Sequence, residues 1–138
     1  MIPPMRLALV LALLPLPALA ERPLTGAEFE ELVEGRTLTY GYQGRKPYGV
    51  EHYHPGRRVT WAWTADDECS AGTWHEEKGP GGPAICFLYE HDPETPKCWQ
   101  VFRDGEGLRA TFLGDGGSSV LYEIADDPGS LVCGGAGV

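Results

Sequence analysis

The hydrophobic pattern of the chain changes once, from a helical period to a period of two. Phe29, Leu32 and Val33 share one face of a helix. From residue 37 to residue 124, apolar and aromatic positions alternate with polar ones in short runs. Turn residues such as Pro55-Gly56 separate these runs at intervals of about ten residues. The pattern predicts one short helix followed by about eight short strands.

The ends of the helix carry local signals. Thr25 is a favourable N-cap residue, and Glu28 stands three positions later, as a capping box requires. Leu24 and Phe29 occupy the two positions of a hydrophobic staple. Gly35 suits the left-handed residue that commonly follows a helix. These signals predict a helix of about two and a half turns.

The period-two region predicts a mainly β fold. No segment between its strands is long enough for a crossover helix, so the strands should form an antiparallel meander. Such a meander has to close into a small barrel or curve strongly, because a flat sheet would leave two exposed edges. We expect one domain over residues 21–125, with the helix at one end, and a Gly-rich, mostly loop C-terminal tail over 126–138. The predicted strands are 37–42, 48–54, 59–64, 69–77, 84–90, 97–103, 108–113 and 120–124.

Residues 1–20 have the three zones of a secretory signal peptide. Arg6 precedes a short apolar run, LALVLALL, and two prolines separate this run from the small-x-small sequence that ends at Ala20. A membrane anchor would need ~20 apolar residues, more than twice the length of this run. The sequence therefore predicts cleavage after Ala20 and a periplasmic or secreted mature protein without stable membrane insertion.

The chain is acidic. Its formal net charge is −9, and loss of the predicted signal peptide would make it −10, since Arg6 is the only charged side chain removed. This charge disfavours nucleic acid as a partner, and it disfavours attachment to anionic membranes through a basic patch. A solvated acidic surface is the simplest interpretation.

The four cysteines predict two disulfides in an exported chain of this size, and three pairings are possible. Cys86 and Cys98 lie on consecutive predicted strands and are symmetric about Asp92, so they are favoured as one pair, which leaves Cys69 with Cys133. The other two pairings remain open. No C-x-x-C sequence suggests a redox site or a zinc ribbon.

Two histidines form a candidate metal site. His52 and His54 are two apart on one strand, so both side chains leave the same face of the sheet. Neutral imidazoles in this arrangement bind zinc or copper when a third ligand is near, and the candidates are His75, Glu51 and Glu76. The alternative is a solvent-facing pair at the end of a hairpin. No resident cofactor is predicted.

Aromatic residues form a candidate ligand site. Tyr40 and Tyr42 alternate on one predicted strand, and Trp61 and Trp63 alternate on another. If the four side chains share a face, they would line a cavity for an apolar or sugar-like ligand. A packed core is the more common outcome for such residues, because aromatics supply much of the buried area of a small domain.

The sequence predicts no catalytic residue. It contains no G-x-S-x-G, H-E-x-x-H, P-loop or G-x-G-x-x-G sequence. Its cysteines, if oxidised, offer no thiolate nucleophile. A binding function is therefore favoured over an enzymatic one.

Several short motifs resemble those of small exported proteins of alphaproteobacteria that belong to families of unknown function. The motifs are YGVE at 48–51, GRRVTW at 56–61, GTW at 72–74, ICF-x-Y at 85–89 and CW at 98–99. The resemblance spans residues 24–124. It implies a periplasmic β-rich domain and supports the Cys86–Cys98 pairing, and it assigns no catalytic residue.

These observations lead to three functional hypotheses. The first is a non-catalytic module that binds a small apolar ligand or a protein of the cell envelope. The second is an inhibitor of a secreted hydrolase that would insert one of the loops at 79–83 or 91–96 into an active site. The third is a metal-dependent enzyme that would use His52 and His54.

Overall fold

The computed structural model describes residues 1–4, 11–15, 21–44, 46–65, 68–124, 131–133 and 136–137. Most of the predicted signal peptide, including its cleavage position at Ala20, lies outside these residues. Among the residues described, no helix has the length and apolar character needed to cross a membrane.

The helix α1 spans Gly26–Val33, as its capping signals predict. The Thr25 hydroxyl accepts a hydrogen bond from the Glu28 backbone N–H at 3.1 Å. The Glu28 carboxylate accepts one from the Thr25 backbone N–H at 3.0 Å, which completes the capping box. Gly35 follows the helix with a φ of +78°, a conformation that costs glycine little.

Eight antiparallel strands form a closed barrel in which every strand pairs with its neighbours along the chain. The barrel closes where β1 pairs with β8, with Tyr40 opposite Glu123 and Gly41 opposite Tyr122. The mainly β meander is confirmed, and closure selects a barrel over an open curved sheet. The strands are β1 Thr37–Tyr42, β2 Lys46–His54, β3 Arg58–Trp63, β4 Cys69–Gly79, β5 Gly82–Tyr89, β6 Asp92–Asp104, β7 Gly107–Phe112 and β8 Val120–Glu123.

The two segments expected to be loops are mostly strand. Residues 79–83 form a tight turn, in which Gly79 pairs with Gly82 across Pro80-Gly81. The Gln100 side chain ties this turn to β6 by donating to the carbonyl oxygen of Pro80 at 2.9 Å. The strand β6 begins at Asp92, five residues earlier than predicted, and a register shift in β5 between Phe87 and Tyr89 accommodates the extra residues.

The described part of the C-terminal tail contains two short paired strands. Val132–Cys133 forms β9, which pairs with Ala136–Gly137, the strand β10. Disulfides join Cys86 to Cys98 and Cys69 to Cys133, the pairing that the sequence favours. The second disulfide joins β9 to the start of β4.

The barrel has an inner and an outer apolar cluster. The helix closes one end of the barrel, because the Phe29 ring packs edge-on against Tyr53, Trp74 and Phe87, with centroid distances of 5.5, 5.1 and 6.4 Å. A small outer cluster lies under the C-terminal tail and comprises Val50, Ala62 and Leu131 beside the Cys69–Cys133 disulfide. The inner cluster includes Leu38, Tyr40, Tyr53, Val59, Trp61, Ile85, Phe87, Val101, Leu108, Ala110 and Leu121.

Candidate ligand-binding cavity

The barrel surrounds a partly open cavity of about 370 Å³. This volume falls in the range of sites that hold a small molecule, about 300–1,000 Å³. An eight-stranded barrel is just wide enough either to be filled by its own side chains or to hold one small ligand. The residues that line the cavity are Phe29, Tyr40, Tyr42, Tyr48, Glu51, Tyr53, Trp61, Trp63, Phe87, Tyr89, His91, Lys97, Trp99, Val101, Ala110, Phe112, Asp115, Ser119 and Leu121.

All four aromatic residues of the candidate ligand site line this cavity. Tyr40 and Tyr42 reach it from β1, and Trp61 and Trp63 reach it from β3. They share the inner face because the side chains of alternate residues leave the same side of a strand. Tyr42 and Tyr48 are 44% and 38% exposed, and their rings contact each other at a centroid distance of 5.3 Å. These two tyrosines, together with the exposed His91 and Asp115, form solvent-facing parts of the cavity wall.

Two glycines on the inner face make room for aromatic rings. The Trp61 indole occupies the position where a Cβ atom of residue 49 would stand. A Cβ atom at Gly72 would lie 2.8 Å from the Tyr89 ring. Gly49 therefore accommodates a ring that lines the cavity, whereas at Gly72 the Leu88 carbonyl oxygen, which lies even closer to the Cβ position than the Tyr89 ring, also excludes a side chain.

Glu51 is a buried carboxyl group in the cavity wall. Its exposed fraction is 2%, and the Tyr89 hydroxyl donates a hydrogen bond to its Oε1 atom at 2.7 Å. Its second oxygen, Oε2, has no hydrogen-bond partner among the described residues. Burial raises the pKa of Glu51 to about 8, although the hydrogen bond from Tyr89 acts in the opposite direction.

A pair of tyrosines lies in the same inner cluster. The Tyr40 and Tyr53 hydroxyl oxygens are 2.7 Å apart and share a hydrogen bond. Burial raises the pKa of both phenols, so each remains protonated at neutral pH. The cavity thus combines apolar walls with a few polar atoms held in place, the usual composition of a small-molecule site.

Two basic side chains line the cavity, and each has a partner of its own. Lys97 donates to the Asp92 carboxylate at 3.0 Å. His91 is exposed, and its Nδ1 atom is 2.7 Å from the Ser70 hydroxyl. Neither residue is hydrogen-bonded to Glu51 among the described contacts, since the bond to Oε1 comes from Tyr89 and Oε2 has none.

Glu51, Tyr53 and Tyr89 are cavity residues that the sequence pattern did not single out. The available signal was the alternation of β2, in which Gly49, Glu51 and Tyr53 occupy successive inward positions. A carboxylic acid in the middle of an inward-facing row is unusual, because unpaired acids are rarely buried. From the sequence, Glu51 is only a candidate third ligand for the histidine pair.

His52 and His54 share one face of β2, as a spacing of two implies, and this is the outer face of the barrel. Their ring centroids are 4.5 Å apart. His52 Nδ1 is 2.7 Å from the Thr37 hydroxyl, and His54 Nε2 is 2.8 Å from the Thr60 hydroxyl. Burial lowers the pKa of His54, and the nearby His52 and Arg58 lower it further.

The structure does not bring the proposed third ligands to this pair. Glu51 faces the opposite side of the strand, into the barrel. Glu76 accepts a hydrogen bond from the Gly26 backbone N–H at 2.6 Å, and His75 pairs with Glu77 at 3.0 Å. In the described part of the chain, the one group of three potential ligands is His75, Glu77 and Cys86, whose sulfur belongs to a disulfide.

Comparison with known proteins gives no relative: no family model, no curated protein and no solved structure matches the chain. The cavity and the side chains that line it are therefore the features that indicate a function.

Proposed function

We propose that this protein is an exported, disulfide-stabilised β-barrel that binds a small, largely apolar molecule in its central cavity. The observation that carries the proposal is the aromatic-lined space of about 370 Å³ inside the barrel. A purely structural module gains stability from filling such a space, since each unfilled methyl-sized volume costs about 1 kcal/mol. A binding module, by contrast, requires this space to be left for its ligand.

The extracytoplasmic location is part of this proposal. It is supported by the signal-peptide pattern of residues 1–20 and by the two disulfides, which persist in oxidising compartments. The resemblance to small exported alphaproteobacterial proteins has the same implication. Native mass spectrometry of the expressed protein tests it. Loss of residues 1–20 and of four thiol protons is expected, whereas an uncleaved chain with four free thiols would contradict it.

The inhibitor hypothesis has less support than the binding hypothesis. It requires a protruding loop at 79–83 or 91–96, but the first is a tight turn tied to Gln100 and the second is largely part of β6. The metal-enzyme hypothesis requires a third ligand near His52 and His54, and the described residues supply none at that place.

Fluorescence titration tests the binding function directly. The neutral apolar probe N-phenyl-1-naphthylamine should quench the tryptophan emission, because Trp61 and Trp63 line the cavity. Ala110 is a buried, inward-facing cavity residue, whereas Ala71 is exposed on β4. Ala110→Leu should therefore weaken binding of the probe, and Ala71→Leu should leave it unchanged.

The matched pair of variants separates cavity binding from surface adsorption. Circular dichroism and thermal unfolding first establish that both variants retain the fold. Quenching that is absent in the wild type, or equal in both variants, would contradict a ligand site inside the barrel.

A further inference from the structure

Glu51 is a buried acid that lacks a counter-charge among the residues described. One carboxyl oxygen accepts from Tyr89, and the other has no partner. Most buried polar atoms in folded proteins have a hydrogen-bond partner, so an unpartnered carboxyl oxygen in a cavity wall needs an explanation. A ligand atom that donates a hydrogen bond would supply that missing partner.

The rings around this acid favour a positive charge. Trp61 lies directly opposite Glu51 on β3, and Tyr89 is bonded to it from β5. Tyr40, Tyr53 and Phe87 line the same cavity. Aromatic faces carry partial negative charge and attract cations, most strongly in sites shielded from water. The acid and the rings thus both favour a cationic ligand.

Resting on the binding function proposed above, we propose that the ligand is an organic ammonium ion, an amine with an apolar body. Its nitrogen donates to Glu51 Oε2, and its apolar part lies among the aromatic rings of the cavity. An anion would meet the carboxyl group and the ring faces without a free cation to pair with. The net charge of −9 also favours the approach of cations over that of anions.

A neutral ligand with a carbonyl oxygen is the main competitor. Protonated Glu51 would donate to such an oxygen, whereas an ammonium ion requires Glu51 to be ionised. The two ligands therefore predict opposite pH dependence. Ammonium binding to protonated Glu51 releases a proton, so affinity should rise from pH 6 to pH 8, whereas affinity for a carbonyl ligand should fall above pH 8.

Other titratable groups in the cavity bear on this pH dependence. Tyr40, Tyr53 and Tyr89 remain protonated over the range, because burial raises their pKa values. Glu123 on β8 is already paired with Arg36 at 3.3 Å. The other titratable groups that line the same cavity are Tyr40 and Tyr42 from β1, Tyr48 and Tyr53 from β2, Tyr89 and His91 from β5 and the turn after it, Lys97 from β6 and Asp115 after β7. The charge of Glu123 on β8 acts on Tyr40.

The test uses three probes of similar shape and different charge: 2-phenylethylamine, 2-phenylethanol and phenylacetate. Isothermal titration calorimetry at pH 7.5 compares the wild type with Glu51→Gln, which keeps the size of the side chain and removes its charge. Glu77→Gln is the control, since Glu77 undergoes the same change on the exposed outer side of β4. Thermal unfolding shows whether each variant is folded.

The expected result is preferential binding of the amine by the wild type. In Glu51→Gln the Kd of the amine should rise by about tenfold or more, which is the loss of affinity typical of a charge-assisted hydrogen bond. The Kd of the alcohol should change little. Glu77→Gln should change neither. Titrations in two buffers with different heats of ionisation should show proton release with the amine alone.

The other outcomes separate this inference from the binding function. Equal binding of amine and alcohol, or an amine Kd that is unchanged in Glu51→Gln, would overturn the ammonium assignment and leave the binding function intact. If all three probes and N-phenyl-1-naphthylamine fail to bind the folded wild type, both proposals are wrong.

Discussion

The Tyr89 hydroxyl donates a hydrogen bond to Glu51 Oε1 at 2.7 Å. The two residues stand on β5 and β2, which are not neighbours in the barrel, so the bond crosses the interior instead of following a strand pair. It is the one hydrogen bond described for this carboxyl group. The properties of Glu51 should therefore depend strongly on Tyr89 and on the burial that both residues share.

Stability should fall as pH rises through the neutral range. In the folded state, burial raises the pKa of Glu51 from 4.5 to about 8. Between these two values the folded state binds a proton that the unfolded state has released, so raising the pH favours unfolding by up to ~1.4 kcal/mol per pH unit. Above pH 8 this pH-dependent contribution of Glu51 to stability is fully lost. Chemical denaturation at pH 5 to 9 measures this slope.

Glu51→Gln isolates the contribution of this group. The amide does not titrate, so the variant should lose this part of the pH dependence and should gain stability relative to the wild type as the pH increases from 5 to 8. Parallel stability curves for the two proteins would show that Glu51 has an ordinary pKa in the folded state.

Removal of the Tyr89 hydroxyl should destabilise the barrel and raise the pKa of Glu51 further. Tyr89→Phe leaves a buried carboxyl group without its donor, a change that costs about 1–3 kcal/mol. Tyr42→Phe removes the same atom from a ring that is 44% exposed, and it should change stability by less than about 0.5 kcal/mol. Equal costs for the two variants would mean that the bond to Glu51 contributes nothing measurable.

A methyl group at position 49 should disturb the cavity wall. Because the Trp61 ring occupies the space beside Gly49, Gly49→Ala should cost about 1–3 kcal/mol through overpacking. Trp61→Phe removes part of that ring, so the double variant should lose less stability than the sum of the two single variants. Strict additivity in a double-mutant cycle would indicate that the two residues do not compete for the same space.

The two disulfides should contribute unequally to stability. Cys69–Cys133 closes a segment with a sequence separation of 64 residues, against 12 for Cys86–Cys98. Chain entropy predicts that replacing Cys69 and Cys133 by serine lowers the free energy of unfolding by about 4 kcal/mol, and that replacing Cys86 and Cys98 lowers it by about 3 kcal/mol. The loss of Cys69–Cys133 also releases the tail that carries Leu131 to its cluster. Urea unfolding ranks the pairs, and a larger loss from the short-range pair would contradict this order.

Local sequence signals determined the secondary structure of this protein. The capping box at Thr25 and Glu28 involves residues three positions apart, so it can be recognised without the rest of the chain. The alternation of Tyr40 with Tyr42, and of Trp61 with Trp63, fixed their common orientation, because side-chain direction has a period of two in every strand. The early start of β6 was missed, because its first residues, DPETP, have the composition of a turn.

Tertiary structure alone decided what the interior contains. The pairing of β1 with β8 depends on residues about 80 positions apart. Only this closure makes the inner faces of the eight strands surround a common space. Whether aromatic rings fill that space or leave a cavity depends on their rotamers and on inward glycines from several strands. The character of Glu51 is likewise a tertiary property, since β5 supplies its hydrogen bond and the closed barrel supplies its burial. The sequence by itself therefore determined which residues of a strand share a face, and the long-range packing decided that these faces surround a space with a buried acid that lacks a counter-charge among the described residues.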